Sequence, residues 1–279
     1  MLGSPAAGGK APRRGPGRGR QRPISGTIEN TLLRAASLAD QFASLVAEVP
    51  YEAKGIIYSE MLFLWAAALP AEPPRILESG RARGQSTHLI SLCFPECPVV
   101  SIERDADSPD AAVAEARLRD CKQVDLRFGD SRTLLPEILA QGDVVFIDGP
   151  KGRKSLDLAF TLLKTGLVPI VFVHDCYQGS PERSFLEREV PTAFYSDHSE
   201  FVANNRYLDE RIWEAPGSEG AEGWQPYLFQ GEAQASYGAT MACLPHDETA
   251  DYGRLIRRLN RAALFGRITR SVRKRITRD

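Results

Sequence analysis

At 279 residues with 43% hydrophobic and 25% charged side chains, the chain can bury a full core and is neither fibrous nor low-complexity. Five cysteines, an odd number without paired metal-type spacing, argue against a disulfide framework or a zinc ribbon and favour a reducing, cytoplasmic setting. The net charge of −1 conceals an asymmetry: residues 1–26 carry six basic residues and no acid, and residues 254–279 carry ten against Asp279 alone, so residues 27–253 hold −16. That balance speaks to partners rather than to fold.

Residues 1–26, rich in Gly, Pro, Arg and Ala, read as a disordered basic tail. Arg13-Arg14 is followed by no apolar region, so no export signal is expected from it. Leu32, Leu33, Ala36, Leu38, Phe42, Leu45 and Val46 form an approximately helical stripe over 27–49, and a second helix is expected over 55–69. Its apolar stretch, Met61 to Leu69, falls well short of the ~20 residues that a membrane span needs. These N-terminal helices, 27–70, open a domain expected to run over 27–250.

Strands and helices then alternate. Strands are expected at 75–79, 98–102, 124–128, 143–147 and 168–173, with helices at 85–93, 108–119, 131–139 and 153–164. This pattern predicts an α/β, Rossmann-like doubly wound sheet, mostly parallel, with helices on both faces. Further strands are expected at 226–229 and 237–244, whereas 175–225, with Pro181, Pro191 and Pro216, shows no clear strand. Ligands of such sheets bind at the carboxyl ends of the strands, where four motifs lie.

The first motif is Glu78-Ser79-Gly80-Arg81-Ala82-Arg83-Gly84, a strand end running into a glycine turn and then a helix start. Gly80 and Gly84 permit sharp turning and close approach of a ligand to the backbone. The second is Glu103, a strand-end acid about 20 residues further on, placed to accept ribose hydroxyls. The third is Gly129-Asp130-Ser131, able to cap a helix or to meet an adenine amino group. The fourth is Asp148-Gly149-Pro150-Lys151, followed on the next strand by His174-Asp175.

Taken together, these motifs resemble the class I S-adenosylmethionine-dependent methyltransferases over roughly residues 55–245. The resemblance implies that a closing antiparallel strand completes the sheet. It implies that Glu78, Gly80, Gly84, Glu103, Asp130 and Ser131 hold the cofactor, with Arg81 and Arg83 turned away from its cationic sulfonium. Ala82 stands where the family has a glycine. The D-x-x-K spacing is similar to the metal-dependent catechol and caffeoyl-CoA O-methyltransferases, in which the Asp binds a divalent cation and the Lys lies near the reacting hydroxyl. Asp148, Lys151 and His174 are thus the candidate catalytic residues, and Asp148 and Asp175 the candidate ligands of a cation such as Mg²⁺. Without a metal, His174 is a candidate general base. The V-H-D strand ending also resembles glucuronoxylan O-methyltransferases, which points to a sugar hydroxyl as acceptor. Tyr58, Ser59 and Glu60 precede the sheet where related enzymes place cofactor-facing residues.

The pyrophosphate spacing G-x-G-x-x-G is absent at 78–87, and Glu78 would repel a pyrophosphate, so a nicotinamide-dependent oxidoreductase is disfavoured. The expected activity is methyl transfer to a hydroxyl of a small molecule or saccharide. The alternative is a non-catalytic protein of the same fold that docks on anionic membrane or nucleic acid through its basic ends. Residues 251–279 form a basic amphipathic segment. Its stripe can pack on the domain or on a second subunit of a homodimer. It can also place the protein peripherally on an anionic membrane surface, with nucleic acid the weaker candidate.

Overall fold

The computed structural model describes residues 27–52, 55–210 and 240–261. Its helices are α1 (Ile28–Val46), α2 (Tyr58–Ala68), α3 (Gln85–Cys93), α4 (Pro109–Leu118), α5 (Ser131–Ile138), α6 (Arg153–Leu163), α7 (Pro181–Glu189), α8 (Ser199–Asn205) and α9 (Tyr207–Glu210). Its strands are β1 (Ile76–Ser79), β2 (Val99–Glu103), β3 (Val124–Phe128), β4 (Val144–Ile147), β5 (Ile170–Val173), β6 (Phe194–Tyr195) and β7 (Ala242–Pro245). A further helix occupies 252–261.

The strands form one seven-stranded sheet in the order β3-β2-β1-β4-β5-β7-β6. Strands β1 to β5 pair in parallel, and β7 runs antiparallel to both β5 and β6. This is the mostly parallel doubly wound sheet with a reversed closing strand that the sequence implies. The chain builds outward from β1 to β3, then returns to lay β4 on the other side of β1. The order therefore reverses between β1 and β4, and the crevice in which such sheets bind ligands is expected beyond their carboxyl ends.

The central strands read as unbroken apolar runs because helices cover both faces. Alternate residues serve opposite cores. Ile76, Val144, Phe146, Ile170 and Phe172 pack with residues of α1, α2 and α3, while Leu77, Val145, Ile147, Val171 and Val173 pack with residues of α6, α7 and 252–261. Helix α2 is buried at every position, as an all-round apolar helix must be. The Arg34 side chain of α1 ties to it through Nε, which donates to the Ala66 carbonyl at 2.7 Å. Leu33, counted in the apolar stripe of α1, is instead 72% exposed.

Three expectations change. Residues 175–210, where no clear strand is expected, hold α7, α8, α9 and the two-residue β6. The closing strand is confined to Ala242–Pro245, later than expected; the strand expected at 226–229 and the tail 1–26 lie outside the described residues. Of the C-terminal segment, 252–261 is helical, with Tyr252, Leu255 and Leu259 buried in the second core and Arg254, Arg257, Arg258 and Arg261 exposed. The domain thus uses the apolar stripe of this part of the helix, leaving only its basic face outward. Arg258 also pairs with Glu189 at 2.6 Å. Among the described residues, no helix is long and apolar enough to cross a membrane.

The turn after β1 needs glycine at Gly80. Its φ is +85°, and a Cβ there would lie 2.7 Å from the Gly149 nitrogen, because the turns after β1 and β4 touch. Ala82 adopts a left-handed φ of 45° without being glycine. Left-handed backbone costs an L-residue about 1–2 kcal/mol, partly offset by the entropy that glycine loses on folding. Ala82→Gly is therefore expected to stabilise the fold by about 0.5–1 kcal/mol in urea unfolding; a loss of stability would show that the Ala82 methyl packs favourably.

Candidate functional site

The glycine turn is drawn tight from beneath. Glu78 is fully buried, and its carboxylate accepts from the hydroxyls of Ser86 and Thr87, at the start of α3, and of Ser101 on β2. Burial raises its pKa above the ordinary range, and these hydroxyls oppose the shift. Glu78 therefore anchors α3 to the sheet and turns its charge inward, away from any ligand in the crevice.

Both turn arginines leave the mouth of the crevice. Arg81 is 2% exposed; its Nη1 donates to the Ser101 and Arg127 carbonyls, each at 2.9 Å, and its guanidinium lies 4.5 Å over the Phe128 ring. Burial lowers its pKa, and nearby Glu103, Glu78 and Glu115 act against that shift. Arg83 is held by Asp110 at 2.8 Å and Glu52 at 2.9 Å, and Arg117 reaches both Glu52 and the Arg83 carbonyl. These partners draw the Arg81 and Arg83 charges away from the ligand side.

Glu103 ends β2 beside this turn. One carboxylate oxygen accepts from the Ala82 backbone N–H at 2.9 Å and the other from Arg104 N–H at 2.7 Å. The carboxylate is thereby fixed, yet each oxygen keeps a lone pair for a hydroxyl donor. Asp130 is committed elsewhere: it caps α5 by accepting from Arg132 N–H at 3.0 Å and pairs with the Arg132 side chain at 2.6 Å. Those Arg132 hydrogen bonds bring its pKa down to about 2. Ser131 is nearly buried, and its hydroxyl points to the Gly149 carbonyl at 3.5 Å. Capping, the alternative that the sequence allowed, describes Asp130.

The carboxyl ends of β4 and β5 bring the remaining candidates together. Asp148 follows β4, and Lys151 folds back to pair with it and with Asp175, the latter at 2.7 Å. His174 follows β5, with Nδ1 at 2.6 Å from Asp148 and Nε2 at 3.1 Å from Glu60 of α2. Asp175 holds a left-handed φ of 61°, the kind of strain that concentrates at functional sites. Two cationic side chains thus meet three carboxylates.

Ionised carboxylates only accept, so an imidazole placed between two of them donates from both nitrogens and carries a proton. Burial would lower the His174 pKa, but Asp148 and Glu60 raise it well above its usual value. Likewise, burial would raise Asp148, but His174 and Lys151 hold its carboxyl far below the ordinary range. Lys151 is raised, since Asp148 and Asp175 outweigh its burial. The two acids on the ring thus favour the charged imidazole, which works against the general-base role expected of His174 without a metal.

Donor atoms of Asp148, His174 and Asp175 lie within 4.8 Å of one another, a set whose chemistry suits a hard divalent ion with one softer ligand. As folded, however, these residues do not fit a resident metal. Lys151 spans the two carboxylates, and both His174 nitrogens are engaged by acids. A metal ion would have to displace the ammonium and strip the imidazolium proton.

Glu60 is the site residue whose role the sequence left open. The signal was a lone acid inside an otherwise apolar helix, Tyr58-Ser59-Glu60-Met61-Leu62-Phe63. Its neighbour Tyr58 has a packing role, donating from its hydroxyl to the Val49 carbonyl at 2.7 Å. A separate open cavity of about 620 Å³, lined by Lys164, His246, Asp251, Tyr252 and Arg257 among others, lies at the opposite end of the sheet and shares no residue with the charged cluster.

No family model and no curated protein matches the sequence. Among solved structures, the chain is similar to the O-methyltransferase TomG from Streptomyces achromogenes, involved in tomaymycin synthesis and in complex with SAM, at 17% identity over 80% of this chain and 92% of that one, TM-score 0.42. It is also similar to an O-methyltransferase from Bacillus cereus in complex with SAH, at 16% identity over 77% and 90%, TM-score 0.41. A third is the SAH-bound Podospora anserina methyltransferase PaMTH1, at 17% identity over 76% and 88%, TM-score 0.39. At TM-scores below 0.5, function has to be read from this chain's own side chains.

Proposed function

We propose that the chain is an S-adenosylmethionine-dependent methyltransferase acting on a hydroxyl of a small molecule or saccharide. The observation that carries this reading is the cluster of Asp148, Lys151, His174 and Asp175, which stands at the ends of β4 and β5 beside the glycine turn of β1. The turn suits the cofactor because Glu103 offers lone pairs to ribose hydroxyls and both nearby arginines are drawn away from a sulfonium. When bound, S-adenosylmethionine supplies a methyl group on a positively charged sulfur.

The protein's own task is to hold the hydroxyl in line and to weaken its O–H bond. Asp175 can accept the hydroxyl proton, while Asp148, whose carboxyl His174 and Lys151 hold far below the ordinary range, orients the hydroxyl by accepting its hydrogen bond. The Lys151 ammonium, pinned between them, stabilises the oxygen as it gains negative charge. His174 keeps Asp148 ionised and oriented. This reading routes no step through a metal.

Calorimetric titration of S-adenosylmethionine and S-adenosylhomocysteine, first in EDTA and then with Mg²⁺, tests the reading. Micromolar binding in EDTA is expected, followed by turnover in a screen of sugars and phenols. A folded sample that binds neither ligand overturns the enzyme reading and favours a protein that docks through its basic ends. Turnover that appears only with Mg²⁺ would restore a metal held by Asp148 and Asp175 with Lys151 displaced. Glu103→Ala is expected to weaken cofactor binding by about 1.5–3 kcal/mol, roughly tenfold to a hundredfold in Kd; unchanged affinity removes Glu103 from the pocket.

A further inference from the structure

Glu60 is a buried acid whose position needs a reason. It lies in the first turn of α2, where every residue is buried, and its side chain is 2% exposed. Burying a carboxylate in an apolar layer is unfavourable unless it is paired. The partner is His174 Nε2 at 3.1 Å, the one described contact that links α2 to the charged cluster through side chains of opposite character. On the far side of the ring, Nδ1 meets Asp148 at 2.6 Å, with Asp175 at 3.6 Å. The Phe146 ring stands edge-on to the imidazole at 6.2 Å between centroids. These groups define every polar and aromatic neighbour of the imidazole among the described contacts.

An imidazole held at one nitrogen can still swing about its bond to Cβ. Held at both nitrogens by groups on different elements, it has one orientation. The helix carrying Glu60 is itself fixed. Ser59 N–H donates to the buried Asp209 of α9 at 3.0 Å, and Arg34 ties the other end of α2 to α1. The His174 ring is thus referenced to the rigid helical layer rather than to the turns that border the crevice.

We propose that Glu60 is the positioning residue of this site, holding the His174 ring so that Nδ1 fixes the Asp148 carboxylate beneath the acceptor hydroxyl. The part concerning the hydroxyl rests on the methyltransferase reading; the Glu60–His174–Asp148 chain does not. Glu60 makes no contact with substrate in this role and acts through His174. Removing it frees the ring and lets Asp148 rotate toward Lys151 alone.

The test compares full-length wild type, Glu60→Gln and Glu60→Leu by proton NMR of the imidazole N–H resonances, assigned by their loss in His174→Asn. Wild type should show slowly exchanging downfield signals from both His174 nitrogens. Glu60→Leu should lose the Nε2–H signal, whereas Glu60→Gln, which can still accept, should keep it with a shift upfield. In turnover, Leu is expected to lower kcat about a hundredfold with KM for S-adenosylmethionine unchanged, and Gln to restore most of that loss. Unaltered resonances in both variants overturn the proposal, as does equal loss of kcat in Gln and Leu. Should Glu60→Leu fail to fold, the shift in Glu60→Gln decides alone. If no acceptor is ever methylated, the NMR signals still decide the Glu60–His174 link, so the two failures are distinguishable.

Discussion

Asp148→Asn should lower turnover about a thousandfold while leaving S-adenosylmethionine affinity within about threefold. The substitution keeps the volume and one oxygen but removes the charge that His174 and Lys151 both address. Without that charge, the acceptor hydroxyl loses the carboxylate that orients it, and Lys151 is left to Asp175 alone. The cofactor contacts assigned to Glu103 and the glycine turn lie on other strands and stay intact. Steady-state kinetics with calorimetry separates the two effects. Retained turnover would overturn the acceptor-site assignment, and lost cofactor affinity would move Asp148 into the cofactor pocket.

The second large effect concerns stability. Glu78→Ala should cost about 3 kcal/mol in urea unfolding at neutral pH, because three buried hydroxyls, Ser86, Thr87 and Ser101, lose their common acceptor. The pH dependence has a definite sign. Burial raises the folded-state pKa of Glu78 above the ordinary glutamate value of about 4.5. Its contribution to stability is then fully present below 4.5 and falls as pH rises through the raised value. The gap between wild type and variant should therefore be widest in acid and narrow toward neutrality. A gap that widens with pH would mean that the three hydroxyls hold the carboxylate more strongly than burial penalises it.

Helix starts show why part of the fold was legible and part was not. Ser108-Pro109 and Ser180-Pro181 are the same signal, a hydroxyl N-cap followed by proline in the first turn. The first stood between obvious strands and was read as a helix start. The second lies in a stretch rich in proline and glycine with no strand pattern to frame it, and α7 emerges only in the structure. Strand β6 is two residues long and owes its existence to pairing with β7, so no local pattern announces it. Leu33 fits the stripe of α1 by spacing and is exposed because, among the described residues, no neighbouring element covers that point of the helix.

The sequence by itself determined the βα alternation, the apolar strands and the turn chemistry that places Gly80, Glu103, Asp148 and His174 at strand ends. These follow from local rules: period-two burial, helix caps and glycine's freedom at positive φ. The tertiary structure alone decided which of the acids face the crevice. Glu78 and Asp130 found nearby hydroxyls and an arginine and turned to them, since a carboxylate takes the donors that packing brings within reach. Glu60, 114 residues from His174 in the chain, reached it only because α2 packs across the sheet. The raised pKa of His174 follows from that long-range contact together with Asp148, and no spacing in the chain encodes it.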